Sequence, residues 1–177
     1  MIVSFFLRMT LAILFLTTAW SKWRGWDRHT QLMTAYRIIP SGWVPWFLGG
    51  FLISECYIAL TLLLFGFQPI TIGLGLGLLF LYTGAVVINL VRGNQDISCG
   101  CGSVLESDRL SWGLVVRNLF LMAMVVLGWM SSLASSPEMG WIHQTLLTLV
   151  AVGVILIAGN LKGFWEIKRK IEKLATD

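Results

Sequence analysis

Apolar positions fill five long runs, at residues 3-20, 43-67, 69-91, 111-133 and 141-161, and polar residues gather in the breaks between them. Each run holds about the 20 residues that a bilayer's hydrocarbon core requires of a helix. In lipid a lone spanning segment must satisfy its own backbone, so runs of this kind form helices. The expectation is an all-α integral membrane protein, a single membrane domain over residues 1-177 built as a bundle of five transmembrane helices. The first run resembles a secretory leader in length. Arg8 interrupts it, however, and no convincing small-x-small cleavage site precedes Lys22, so it reads as a retained span.

The breaks alternate in character. Phe67 to Pro69 is a tight turn, and Ala134 to Gly140 carries only Glu138. The segments Ser21 to Gly42 and Arg92 to Leu110 are longer and polar, and alternation puts both on one face with the tail from Lys162. Of nine Trp, all but Trp129 and Trp141 fall on that face, in the manner of an aromatic belt. Segment 23-40 reads as a short interfacial helix. Trp26, Met33 and Tyr36 recur near helical spacing, arginines 24, 28 and 37 are placed for headgroups, and Pro40 ends the helix. Gly73 and Gly77 form a small-xxx-small pair suited to close helix packing.

Composition supports the assignment: 56% of residues are hydrophobic and 12% charged, against about a quarter charged in soluble domains. The net charge of +4 does not point to nucleic acid, because the basic residues flank the membrane. Of 13 Lys and Arg, all but Arg8 and Arg117 lie on the polar-loop face. Arg8 is expected to snorkel to the opposite side.

The sharpest chemical signal is Cys99-Gly100-Cys101-Gly102, in loop 92-110. A Cys-x-Cys disulfide closes a very small ring, departs from relaxed geometry and is readily reduced. The pair therefore suits thiol exchange. Binding of a soft metal such as Cu(I) or zinc, with His29 as a further ligand, and an inert structural role are the alternatives. Cys56, about 20 Å deeper by helical rise, reads as a small buried apolar residue. Glu55 is the second signal, since an ionisable group near mid-bilayer marks a functional-site hypothesis. Arg117 enters from the same face about 9 Å shallower, with Asn118 and Asn89 available to complete a polar network. No catalytic triad, phosphate loop or metal-hydrolase motif is present.

These residues together resemble the MauE family, within the wider MauE/DoxX-like group of redox-associated membrane proteins. The resemblance rests on Ala19-Trp20-Ser21-Lys22, Tyr36-Arg37-Ile38-Ile39-Pro40, Glu55 and Asp96-Ile97-Ser98-Cys99-Gly100-Cys101-Gly102. Further along it takes in Leu110-Ser111-Trp112, Arg117-Asn118 and Asn160. Cys56 is not part of the pattern. The resemblance implies a redox pair at Cys99 and Cys101 with Glu55, Arg117, Asn118 and Trp112 in support. It also implies a thioredoxin-like (MauD-like) partner and an exported disulfide-containing client, such as the small subunit of methylamine dehydrogenase. The layout is similar to vitamin K epoxide reductase, which implies a four-helix core plus a fifth span and, by analogy of fold, a quinone as electron partner. A multi-pass protein of the bacterial inner membrane follows, with the cysteine loop outside the cytoplasm. The charge distribution alone favours the opposite orientation by the positive-inside rule. Two competing functions stay open: a non-catalytic assembly factor for the partner, and a Cu/Zn carrier using the Cys-x-Cys loop.

Overall fold

The computed structural model describes residues 2-94 and 110-133, and those residues are helical with no strand. Helix α1 spans Ile2–Arg24, α2 Trp26–Ala35, α3 Val44–Leu64, α4 Pro69–Val91 and α5 Trp112–Leu133, with a 3-10 turn at Ser41–Trp43 ahead of α3. Four of these, all but α2, are long and apolar enough to cross a membrane. The expected fifth span, the tail and the loop residues 95-109 lie outside the described residues.

Helix ends follow local chemistry. Pro45 and Pro69 sit in the first turns of α3 and α4, where a missing N–H costs no intrahelical bond. Gly66 (φ 81°) and Gly93 (φ 77°) follow the C-termini of α3 and α4, the left-handed position that glycine tolerates best. The first helix continues four residues beyond the expected end at Trp20. Its last turn holds Ser21, Lys22 and Arg24, and Gly25 then separates it from α2.

Helix α1 packs along α3 and also touches α5, while α4 packs on α5 and α3. The main core joins Leu11, Ala12 and Phe15 of α1 to Ile58 and Leu62 of α3, Leu78 and Leu79 of α4, and Leu121 and Val125 of α5. Large apolar side chains such as Ile53, Leu60, Phe80, Val116 and Phe120 point outward. Helices that are apolar all round are what a lipid solvent demands. The outward tryptophans Trp20, Trp23, Trp43, Trp46 and Trp112 cluster at one end of the bundle.

Arg8 does not simply reach for the opposite headgroups. Its guanidinium donates from Nε to Leu62 O and from Nη2 to Leu63 O, the latter at 2.7 Å. It thereby satisfies carbonyls at the end of α3 that lack an intrahelical donor. The small-residue expectation also shifts. Among the described residues, a Cβ added at Gly73 or Gly77 meets nothing within 4 Å, and both glycines line an open groove between α3 and α4. The close approach falls instead at Gly128, where a Cβ would lie 2.3 Å from the Phe67 ring.

Candidate functional site

Glu55 lies in the middle of α3 and is 1% exposed. Lys22, in the last turn of α1, extends to it with Nζ 2.7 Å from Oε1, and the two side chains are 4% and 1% exposed. Tyr82 of α4 donates its hydroxyl to the same oxygen, also at 2.7 Å. The Lys22 ammonium stands 5.3 Å from the Tyr82 ring centroid, within range for cation–π attraction. Phe51 packs edge-on to that ring with centroids 5.4 Å apart. Three helices thus converge on one carboxylate oxygen.

The helix direction explains how a residue near the end of a span reaches so deep. Side chains on an α-helix lean toward its N-terminus. For α1 that direction runs away from the α2 face and into the membrane, so Lys22 leans inward while Arg8 leans toward the opposite surface. Lys22 belongs to this interior pair and not to the band of headgroup-facing cations. The sequence held a signal for it: Leu11, Phe15, Thr18 and Lys22 recur at spacings of four, three and four. All four are buried, which places Lys22 on the same inner stripe.

Arg117 and Asn118 do come near Glu55. They line a small cavity of about 30 Å³ together with Glu55, Tyr82 and Thr18. Arg117 Nη2 donates to Asn118 Oδ1 at 3.3 Å. Glu55 Oε2 and Asn118 Nδ2 are buried without a hydrogen-bond partner. A cavity of this size holds about one water, which takes two to four polar partners. The carboxylate is therefore divided: Oε1 is saturated by Lys22 and Tyr82, and Oε2 is open on the Arg117–Asn118 side. Asn89 stays apart from this network. Its Nδ2 donates to Ala85 O, and its Oδ1 accepts from Asn94 Nδ2, so it serves the end of α4.

Above Glu55, α2 covers a larger pocket. His29, Leu32, Met33 and Tyr36 fall on one face of that helical segment and line about 280 Å³ of apolar space against α3 and α4. Tyr36 also packs on Val86, Leu90, Leu110 and Leu114. Arg92, just past the end of α4, donates to Arg37 O at 3.4 Å, so the end of α4 and Leu110 both lie beside the C-terminal end of α2. Burial pushes the Tyr36 hydroxyl up to about 12. Trp112 is exposed at the start of α5. Cys56 is a free, half-buried thiol in α3. Cys99 and Cys101 lie outside the described residues. Among the described residues, no three His, Cys, Asp or Glu side chains gather as a metal-ligand set.

Comparison with known proteins gives the family. The family model described as "Methylamine utilisation protein MauE" matches residues 1–131, a stretch that takes in Lys22, Glu55, Tyr82, Cys99, Cys101 and Arg117. The chain is 31% identical over 123 residues to a methylamine utilization protein MauE of Paracoccus denitrificans, covering 68% of this chain and 64% of that protein. It is 30% identical over 176 residues to the MauE of Methylorubrum extorquens, covering 92% and 90%. The chain thus spans just under two thirds of the Paracoccus relative and nine tenths of the Methylorubrum one. No solved structure matches. With a family model over most of its length and relatives of this identity, this multi-pass helical membrane protein belongs to the MauE family.

Proposed function

We propose that this chain is a membrane thiol–disulfide redox protein serving methylamine utilisation. In this reading Cys99 and Cys101 exchange with a thioredoxin-like partner while an exported disulfide-containing protein matures. The observation that carries the reading is the Cys99-Gly100-Cys101-Gly102 motif itself, two thiols in a polar break between apolar spans. The described residues that flank it in sequence, Asn94 at the end of α4 and Leu110 ahead of α5, lie at the end of the bundle where Lys22 and α2 are found. The pathway comes from the names of the relatives. The family match adds support, since its span includes both cysteines.

The exchange balances within the two proteins. A thiolate of one dithiol attacks the other protein's disulfide and gives a mixed disulfide. The neighbouring thiol resolves it, so two electrons and two protons change sides. The Lys22–Glu55–Tyr82 cluster holds α1, α3 and α4 in register at the α2 end of the bundle. We place the protein in the bacterial inner membrane, α2 at the interface and the cysteine loop outside the cytoplasm, where disulfides persist.

The test combines labelling and trapping. A membrane-impermeant thiol reagent applied to intact cells should label Cys99 and Cys101 only after mild external reduction. One of the variants Cys99→Ser and Cys101→Ser should accumulate a reducible adduct with a thioredoxin-like protein. If the double Ser variant supports full client maturation, the relay fails and a non-catalytic assembly role takes its place. Stoichiometric copper or zinc lost with the two cysteines would instead establish the carrier.

A further inference from the structure

The α2–α3–α4 pocket contains a polar atom with nothing to bind. His29 is 3% exposed. Its Nδ1 lies 2.9 Å from Gly25 O. A carbonyl oxygen only accepts, so Nδ1 carries the hydrogen, and in the neutral ring Nε2 is left as an acceptor. That Nε2 is buried without a hydrogen-bond partner, in the wall of the pocket of about 280 Å³. An unmet buried acceptor is uncommon and calls for an explanation. Gly25 holds the ring in place: a Cβ there would lie 3.3 Å from His29 Nδ1.

The rest of the wall narrows the ligand class. Phe47, Phe51 and Tyr82 supply aromatic surface, and Lys22 contributes an ammonium with three donors, one of them spent on Glu55. Ile38, Phe47 and Leu81 line the pocket and are exposed on the bundle surface, which opens it toward the lipid side. The volume is at the small end for ligand pockets. A matching ligand is apolar and ring-sized, arrives through lipid, and carries a hydroxyl for His29 and an oxygen for Lys22.

We infer that this pocket binds the hydroxylated aromatic head of a membrane-soluble ligand of the hydroquinone class, with His29 Nε2 accepting a hydrogen bond from its hydroxyl. An acyl chain fills the same space but leaves the acceptor unmet. The inference stands on the pocket and not on the thiol relay, so replacing both loop cysteines should leave binding unchanged.

The test is isothermal titration of the full chain in detergent micelles with decyl-hydroquinone under reducing conditions, and with its dimethyl ether. The ether keeps the ring and tail but has no hydroxyl donor. We expect the hydroquinone to bind about tenfold more tightly, the scale of one hydrogen bond to a buried acceptor. His29→Leu should remove that preference. Ala85→Phe, which fills the pocket and leaves His29 in place, should abolish binding of both. Equal binding of the two ligands to the unaltered chain overturns the assignment and makes the pocket a non-selective acyl-chain site. Absence of binding, or binding that survives Ala85→Phe, overturns it as well. The ligand comparison and Ala85→Phe decide the matter even if His29→Leu does not fold.

Discussion

Lys22→Met isolates the energetics of the buried pair. The substitution removes the ammonium 2.7 Å from Glu55 Oε1 and keeps most of the apolar stem. It leaves a carboxylate that is 1% exposed with Tyr82 as its remaining donor on that oxygen. Breaking a buried ion pair from one side costs about 3–5 kcal/mol, because the surviving charge has no solvent to return to. Replacing both members with apolar residues of similar volume is often neutral or even stabilising. Lys22→Met is therefore expected to lose about 3–5 kcal/mol, Glu55→Leu a similar amount, and the double variant much less than either. The assay is a double-mutant cycle on the unfolding free energy, with SDS titration of the micelle-bound protein followed by circular dichroism. Single losses below about 1 kcal/mol, or losses that add in the double variant, would show that the two groups do not depend on each other, and the reasoning would fail.

Gly128→Ala places a methyl 2.3 Å from the Phe67 ring and should cost about 1–3 kcal/mol by overpacking; Phe67→Leu in the same chain should recover most of the loss on thermal melting. Arg8→Met strips Leu62 O and Leu63 O of their shared donor and should cost about 1–3 kcal/mol, read by the same SDS titration. Tyr36 titrates near 12 when folded and near 10 when unfolded, so the unfolded chain releases its proton first as pH rises. Stability should hold below pH 10 and fall by roughly 2 kcal/mol as the pH climbs toward 12; Tyr36→Phe should remove that part of the decline. Tyr82→Phe takes one donor from Glu55 Oε1 and should cost about 1–3 kcal/mol, less than loss of Lys22 in the same assay.

Much of this protein is written in its one-dimensional pattern. Four described spans fall on apolar runs because a helix is the open-ended way for a backbone to satisfy itself in lipid, and run length is set by bilayer thickness. Glu55 stands out for the same reason: an ionisable group in hydrocarbon is costly enough to be conspicuous. The cysteine motif, too, is visible as a string of letters.

Partnership is a property of space. Lys22, counted along the chain, belongs to a polar break. Only the continuation of α1 through Arg24 and the inward lean of its side chains bring the ammonium to Glu55. Tyr82 is one apolar-run aromatic among many until α4 turns its hydroxyl toward the same oxygen. Arg117 reads as the natural counter-ion, yet the structure gives Glu55's ion pair to Lys22 and sets Arg117 across a small cavity, because helix phase and direction decide which side chains meet. His29 is in sequence one polar residue of a short interfacial segment, and only the fold of α2 over α3 and α4 sets its ring in the wall of an apolar pocket with Nε2 unpartnered. Sequence determined which segments enter the membrane, because transfer into lipid depends on the composition of each segment. Tertiary structure decided which polar groups inside it are paired and which are left open, because hydrogen bonds and ion pairs depend on distances of a few ångströms between residues far apart in the chain.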